Sequence, residues 1–312
     1  MKLLETSSEI RVNEFILADS DNFFHSKKFF DLYASDGDVF LEFITGKDKG
    51  VLCYFNQTEK GTWHSPSKGT FAGPITKGKV SDSDFAIAIE LFERYLRNIG
   101  ATEIHYSLPP LYLSLGLTSL THYLLQSRNY RSYRTDLNYH LVVSGAPFEQ
   151  MLSSSKRNGL GKPIMGKVVT KQLGDTDFNA VYDLLQNNRK MLGVELSLAR
   201  SQLQKLLSHF PNHILMVGSY FEKTLVSAAF CIKIRPDVLY VFYWGHQPSC
   251  QLPNPILPIA QFIYSWCQQK SINYIDLGTS NIGPEANWKL IFFKKSLGAA
   301  ETIKSRFKKS WK

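Results

Sequence analysis

The chain reads as an α/β protein in which one mixed-sheet unit occurs twice in tandem. Three observations predict this. Residues 273–298, NYIDLGTSNIGPEANWKLIFFKKSLG, give a short buried strand, a Gly/Ser/Asn turn and a helix ending in Lys and Gly, the close of a βαβ unit. The first half of the chain has the same order of elements. The anchors GVLCYF and TLVSAAF, RNIGATEIHYSL and QKSINYIDLG, and LLQSRNYRSYR and FFKKSLGAAET keep an offset of about 170 residues, which chance similarity would not hold. Lastly, antiparallel strands feed a strand–helix–strand–helix–strand run, an order that yields a mixed sheet with helices on its faces.

The elements follow one by one. VFLEFI and GVLCYFN read as a hairpin bounded by Gly, Lys and Asp. GTWHSPSKGTFAGPI, a Gly/Pro/aromatic stretch holding Trp63, His64, Phe71 and Gly73, reads either as a wide turn or as the lining of a groove between the units. DFAIAIELFERYLRNIG is a helix of period near 3.6, opened by residues 81–84 and closed by Gly100. The strand ATEIHYSL stops at Pro109 and Pro110; a helix over about residues 112–128 and the long strand YRSYRTDLNYHLVV follow.

The second half opens with PFEQMLSSSKRNGLGKPIM, the strand KVVTKQLG and helices near 178–191 and 198–210. Strands HILMVGSYF, TLVSAAFCIKI and VLYVFYWGH come next, then the helix PILPIAQFIYSWCQQK, the strand NYIDLG, the closing helix and ETIKSRFKK. The first half has a shorter helical part, around 26–34, as a degenerate copy would. SGAP at 144–147 sets the expected boundary: residues 1–145 and residues 146–312, the second carrying the site, with the long strand before SGAP open to sharing between the two sheets.

At 312 residues, 44% hydrophobic and 20% charged, the chain has room for two domains with buried cores. No apolar run reaches the roughly 20 residues of a bilayer span. The N-terminal MKLLETSSEIRVNEF meets Glu5 and Glu9 before a signal core forms, so a cytoplasmic location is expected. Cys53, Cys231, Cys250 and Cys267 form no CxxC pair, which argues against a zinc cluster or a disulfide framework. Cys250, in the polar QPSCQLPN loop near His246, is a faint nucleophile candidate; the other three read as buried thiols.

The formal charge of +9 favours an anionic partner: phosphates, nucleic acid or a membrane surface. Lys156, Arg157, Lys162, Lys167 and Lys171 form one cluster, and Lys289, Lys294, Lys295, Lys304, Arg306, Lys308, Lys309 and Lys312 another. A solvated basic face explains such runs equally well.

Two tandem units of this order, the SKRN segment at 155–158, and a DLGTS strand end followed by F-K-x-S-L-G (Phe293, Lys294, Ser296, Leu297, Gly298) together resemble the Fem-type (FemABX-like) peptidyltransferases of the GNAT acyltransferase superfamily. The resemblance implies transfer of an aminoacyl or other acyl group onto an amine, often on a cell-wall precursor, with no metal and no covalent enzyme intermediate. It implies no tightly bound cofactor and leaves the donor open between aminoacyl-tRNA and an acyl thioester. The anionic partner would then be a phosphate-bearing donor or acceptor, tRNA among the candidates. One departure stands out. Acetyl-CoA-dependent GNAT enzymes carry a Gly-rich turn whose backbone N–H groups hold pyrophosphate at a helix N-terminus. Here that position reads HQPSCQLPNP and has no glycine.

Candidate site residues follow from both arguments. Lys294 either complements the end of its helix dipole or holds a phosphate or the oxyanion formed when an amine attacks an acyl carbon. Asp276, a carboxylate in an apolar strand, needs a partner such as Lys294 or a backbone amide; otherwise it is the base that takes the amine proton. Glu285 and His246 compete for that role, Glu285 equally as a helix-start carboxylate. Alternation puts Tyr240, Phe242 and Trp244 on one face of their strand, while Tyr243 to His246 reach the end where this fold forms its cleft. Ser280 and Asn281 are polar contacts there, or simply turn residues. Arg157 and Lys156 bind a phosphate at the rim or belong to an exposed basic face. Two readings besides aminoacyl transfer stay open: a coenzyme A or carrier-protein thioester-dependent N-acyltransferase, and a non-catalytic module binding RNA or an anionic lipid surface, although no RNA-recognition motif is present.

Overall fold

The computed structural model describes residues 10–18 and 22–311; the N-terminal residues 1–9 and Lys312 of the basic cluster lie outside the described residues. In chain order the elements are β1 (Ile10–Val12), α1 (Lys27–Tyr33), β2 (Val39–Gly46), β3 (Lys49–Glu59), β4 (Thr62–Ser65), β5 (Ile75–Lys77), α2 (Asp82–Asn98), β6 (Glu103–Ser107), α3 (Leu115–Ser127) and β7 (Arg131–Val142). Then come α4 (Phe148–Met151), α5 (Ser154–Leu160), β8 (Val169–Leu173), α6 (Phe178–Met191), α7 (Arg200–His209), β9 (Ile214–Phe221), β10 (Thr224–Arg235) and β11 (Val238–His246). The chain closes with α8 (Leu257–Gln269), β12 (Tyr274–Thr279), β13 (Asn281–Ile282), β14 (Glu285–Ala286), α9 (Trp288–Ser296) and β15 (Ala300–Ser310).

The chain forms two compact units, one from Met1–Leu137 with Thr302–Lys312 and the other from Asn138–Glu301. In unit 1 the strand order is β1-β2-β3-β4-β6-β15. All these neighbours are antiparallel except β4 and β6, which run parallel from Thr62↔Glu103 to Ser65↔Tyr106. The inward residues Leu41, Phe43, Val51, Cys53 and Phe55 pack against Phe85, Ala88, Ile89, Phe92 and Leu96 of α2. These α2 positions recur every three or four residues, as one buried helical face requires. The Ser81 hydroxyl caps the helix by accepting the Asp84 N–H at 3.1 Å.

The stretch 61–75 is not a plain turn. It contains β4, whose four residues are too few for a period-2 pattern to show, and the first residue of β5, which pairs with β3. Its loop folds over the ends of the parallel pair. Ala72 N–H donates to Ser107 O at 2.9 Å, Gly73 N–H to the Ser65 hydroxyl at 3.1 Å, and Phe71 is buried. Lys304, itself buried, donates to Thr70 O at 2.6 Å.

Unit 2 repeats the topology as β8-β9-β10-β11-β12-β7. Its parallel pair is β11 and β12, in register from Val238↔Tyr274 to Tyr240↔Asp276. Beyond that point the strands part. β11 continues along β10 to Ser227↔His246, while β12 continues along β7 as Gly278↔Tyr139 and Thr279↔Asn138.

Each unit completes its sheet with a strand distant in sequence. Residues of β15 from 302 onward serve unit 1, and residues of β7 from 138 onward serve unit 2. The division therefore falls inside two strands, whereas a boundary at the SGAP turn assumes that each half keeps its own last strand. Sequence order fixes which strands exist, and pairing fixes which sheet they join.

The turn from α9 into β15 depends on one glycine. Gly298 N–H donates to Lys295 O at 2.9 Å and Ala299 N–H to Lys294 O at 3.2 Å, a Schellman arrangement with Gly298 at φ +85°. A Cβ there would lie 2.7 Å from Met151 O. Gly298→Ala should lower unfolding stability by about 1–3 kcal/mol in urea titration. Gly145→Ala, where an added Cβ meets nothing within 4 Å, should leave the midpoint in place.

Candidate functional site

The centre of unit 2 is a bulge at the point where β11 and β12 separate. Gly278 takes φ +73°, shifting the register of β12 against β7 between Asp276 and Gly278. The buried Asp276 carboxylate accepts the Gly278 N–H at 2.6 Å and the Asn138 amide at 3.1 Å. From α9, Lys294 reaches the same bulge and donates to Gly278 O at 2.8 Å and Thr279 O at 2.9 Å.

Lys294 is 1% exposed. Burial pulls its pKa from 10.5 down to about 7; the Asp276 charge pulls the other way, and the Arg189 charge adds to the lowering. An ammonium has three N–H groups. Two are committed to carbonyls, and the ammonium also stands 5.8 Å over the Tyr139 ring.

Around the amine, β11 and α6 supply further groups. The Tyr243 hydroxyl shares a hydrogen with the Ser197 hydroxyl and accepts the Leu198 N–H at 3.1 Å. The Arg189 guanidinium stands 6.0 Å from the centre of the Tyr243 ring, its pKa lowered by burial. α6 is held there because Asn188 donates to His246 O at 2.9 Å; Gly245 makes room, since a Cβ at that position would lie 2.7 Å from Asn188 Oδ1. Ser280, in the turn after β12, is fully buried, and its hydroxyl has no partner among the described residues. An orphaned buried hydroxyl is costly unless something else fills its valence.

A second cation sits one helix away. Lys156 of α5 donates to Asn254 Oδ1 at 2.8 Å and lies 5.4 Å over the Phe293 ring, which itself meets Trp244 edge-on at 5.8 Å. Arg157 is turned elsewhere. Its guanidinium donates to Glu149 O at 3.0 Å and Leu152 O at 3.1 Å, so two of its five N–H groups hold the end of α4. Lys156, and not Arg157, is the residue facing the 247–256 loop.

That loop differs from a pyrophosphate cradle. Leu257 N–H is taken by Asn254 O at 3.1 Å, Pro258 has no N–H, and Ala260 N–H bonds Ile256 O at 3.0 Å. Ser227 donates to Pro255 O at 2.7 Å, and Gly159 of α5 packs so tightly on the loop that a Cβ would lie 2.5 Å from Asn254 Nδ2.

The sequence candidates are thus only partly gathered. Lys294 and Asp276 share the bulge, and Tyr243, Ser280 and Trp244 belong to the strands and turn around it. His246 is half-buried at the end of β11, its Nδ1 3.0 Å from Gln247 O. Asn281 pairs with Ala286 in the β13–β14 hairpin, which also holds Glu285, exposed to solvent. Glu285 does not start α9; Asn287 does, its side chain accepting the Leu290 N–H at 3.1 Å. Arg189 went unrecognised in the sequence because a cation in the last turn of a helix is ordinary.

The sequence matches no family model and no curated protein. Solved structures are more telling. The chain is similar to FemX, with TM-score 0.68 and 8% identity over 92% of this chain and 91% of that one. The fold is Fem-type. It is also similar to L-PGS from Bacillus licheniformis (TM-score 0.54, 13% identity, 88% and 82% covered) and to a tandem GNAT protein from the clavulanic acid biosynthesis pathway (0.51, 10%, 97% and 98%). In this tandem Fem-type fold the two GNAT-like units differ where their parallel strands end: a backbone loop in unit 1, and the Lys294 amine in unit 2.

The lowered pKa of Lys294 has a consequence for stability. Between about 7 and 10.5 the unfolded chain holds a proton that the folded chain has released, so this group's contribution to stability rises with pH across that window. The unfolding free energy of wild type minus that of Lys294→Met should climb over the window and stay level below it. A difference that stays constant throughout would place the amine in a solvated environment.

Proposed function

We propose that the protein is an acyltransferase that moves an aminoacyl or other acyl group onto an amine, working in unit 2 where β11 and β12 part. The observation that carries this reading is the buried Lys294 amine, fixed by two carbonyls at the point where the strands part. The Fem-type fold supports it.

In this reading the amine nitrogen bonds to the acyl carbon, and the carbonyl oxygen becomes an oxyanion. Lys294, in its charged form, turns its third N–H to that oxygen; a charge-assisted bond of about 1.5–3 kcal/mol corresponds to one to two decades in rate. The bond to the donor's oxygen or sulfur then breaks, and the amine proton leaves with that atom. Asp276 acts by holding the bulge and lending charge to Lys294. Tyr243 and Ser280 contact the acyl group, and Arg189 and Lys156 attract the donor's phosphates.

The loop before α8, with no glycine, with Leu257 N–H bonded to Asn254 O and with Pro258 lacking an N–H, favours an aminoacyl ester on RNA over a coenzyme A thioester. Transfer from labelled aminoacyl-tRNA to hydroxylamine, an acceptor already unprotonated at neutral pH, tests both donor and residue. Lys294→Met should slow it by about ten- to a hundredfold, and the wild-type rate should fall as pH rises through about 7. A rate that rises there would make Lys294 the base, and turnover of acetyl-CoA alone would assign a thioester donor.

A further inference from the structure

α9 is apolar on two sides, and only one of them is used by the core. Ile291 and Leu297 are buried, as is Lys294. On the outer side Trp288 and Phe292, one helical turn apart, are each 75% exposed, and Ile282 in the hairpin leading into α9 is 64% exposed. Rings left in water on a nine-residue helix mark a surface that something covers.

The charges around these side chains indicate what covers them. Lys289 lies between the two rings in sequence and is exposed. α5 is fastened to α9 through Ser153 N–H to Ser296 O at 2.9 Å and Lys156 over Phe293. Residues 153–171, which include α5, hold Lys156, Arg157, Lys162, Lys167 and Lys171 with no Asp or Glu. Nearby acids are few: Glu301 is paired with Lys295 at 3.0 Å, Glu149 is bonded to Gln261, and Glu285 is free to solvent on β14. Exposed Trp, Phe and Ile on a helix fastened to a segment rich in Lys and free of acids suit a lipid interface, where the rings enter the acyl boundary and the cations meet anionic headgroups. RNA would use the cations but gains nothing from Ile282.

We infer that the α9 and β13–β14 face, with the basic α5 segment, docks on an anionic lipid surface. The docking stands on its own.

Sedimentation of the full chain with vesicles tests it, using phosphatidylcholine alone, phosphatidylcholine with phosphatidylglycerol, and a single-stranded RNA homopolymer as competitor. Wild type should pellet with phosphatidylglycerol vesicles and stay soluble with neutral ones. Trp288→Ser with Phe292→Ser should lose about tenfold or more in partition, as should Lys162→Glu with Lys167→Glu, with unfolding midpoints unchanged because all four side chains are exposed. Absence of binding, equal binding by the aromatic variant, or displacement by RNA with the aromatic variant unaffected would overturn the inference. Transfer to a soluble amine by the aromatic variant is read separately; its loss in wild type as well would count against the transferase reading alone.

Discussion

Everything at the candidate site depends on how unit 2 satisfies the backbone where two parallel strands separate. Past Tyr240↔Asp276, β12 has no further ladder with β11, and buried carbonyls without donors cost about as much as a lost hydrogen bond. Lys294 supplies donors to Gly278 and Thr279, and Asp276 supplies the acceptor for the Gly278 N–H. In unit 1 a loop fills the equivalent place, with Ala72 N–H on Ser107 O and Lys304 on Thr70 O. One repeat thus covers its strand ends with main chain. The other uses a titratable amine and leaves the Ser280 hydroxyl unpaired.

Three influences compete at that amine. Burial opposes protonation, Asp276 favours it, and Arg189 opposes it again. Their balance keeps the value near neutrality, so a phosphate or oxyanion arriving beside Lys294 would tip it toward the cation. Asp276 and Lys294 each bond the backbone of the bulge, so removing either one leaves a buried backbone group without its partner.

Much of the architecture was legible in the sequence because it rests on local pattern. The cap at Ser81 and the apolar spacing of α2 define that helix, and the repeat anchors fall on β3 and β10, β6 and β12, and β7 and β15. β4 was not legible, being four residues inside a Gly/Pro-rich stretch, nor was the passage of β15 into the first sheet, which depends on long-range pairing; the length of β7 alone hinted that it serves two sheets. At the site, Asp276 stood out as a charge in an apolar strand, and Lys294 through the F-K-x-S-L-G resemblance and its place at a helix end. Arg189 did not, and the choice between Lys156 and Arg157 turned on helix register, which neighbouring basic residues do not reveal.

The most direct measurement is a crystal structure with a non-hydrolysable, amide-linked aminoacyl-adenosine. Its acyl carbonyl oxygen should lie within hydrogen-bond distance of Lys294 Nζ, with the Ser280 hydroxyl engaged by the ligand. An analogue bound elsewhere in the chain, with Lys294 still donating to Gly278 and Thr279 alone and Ser280 still unpaired, would contradict it.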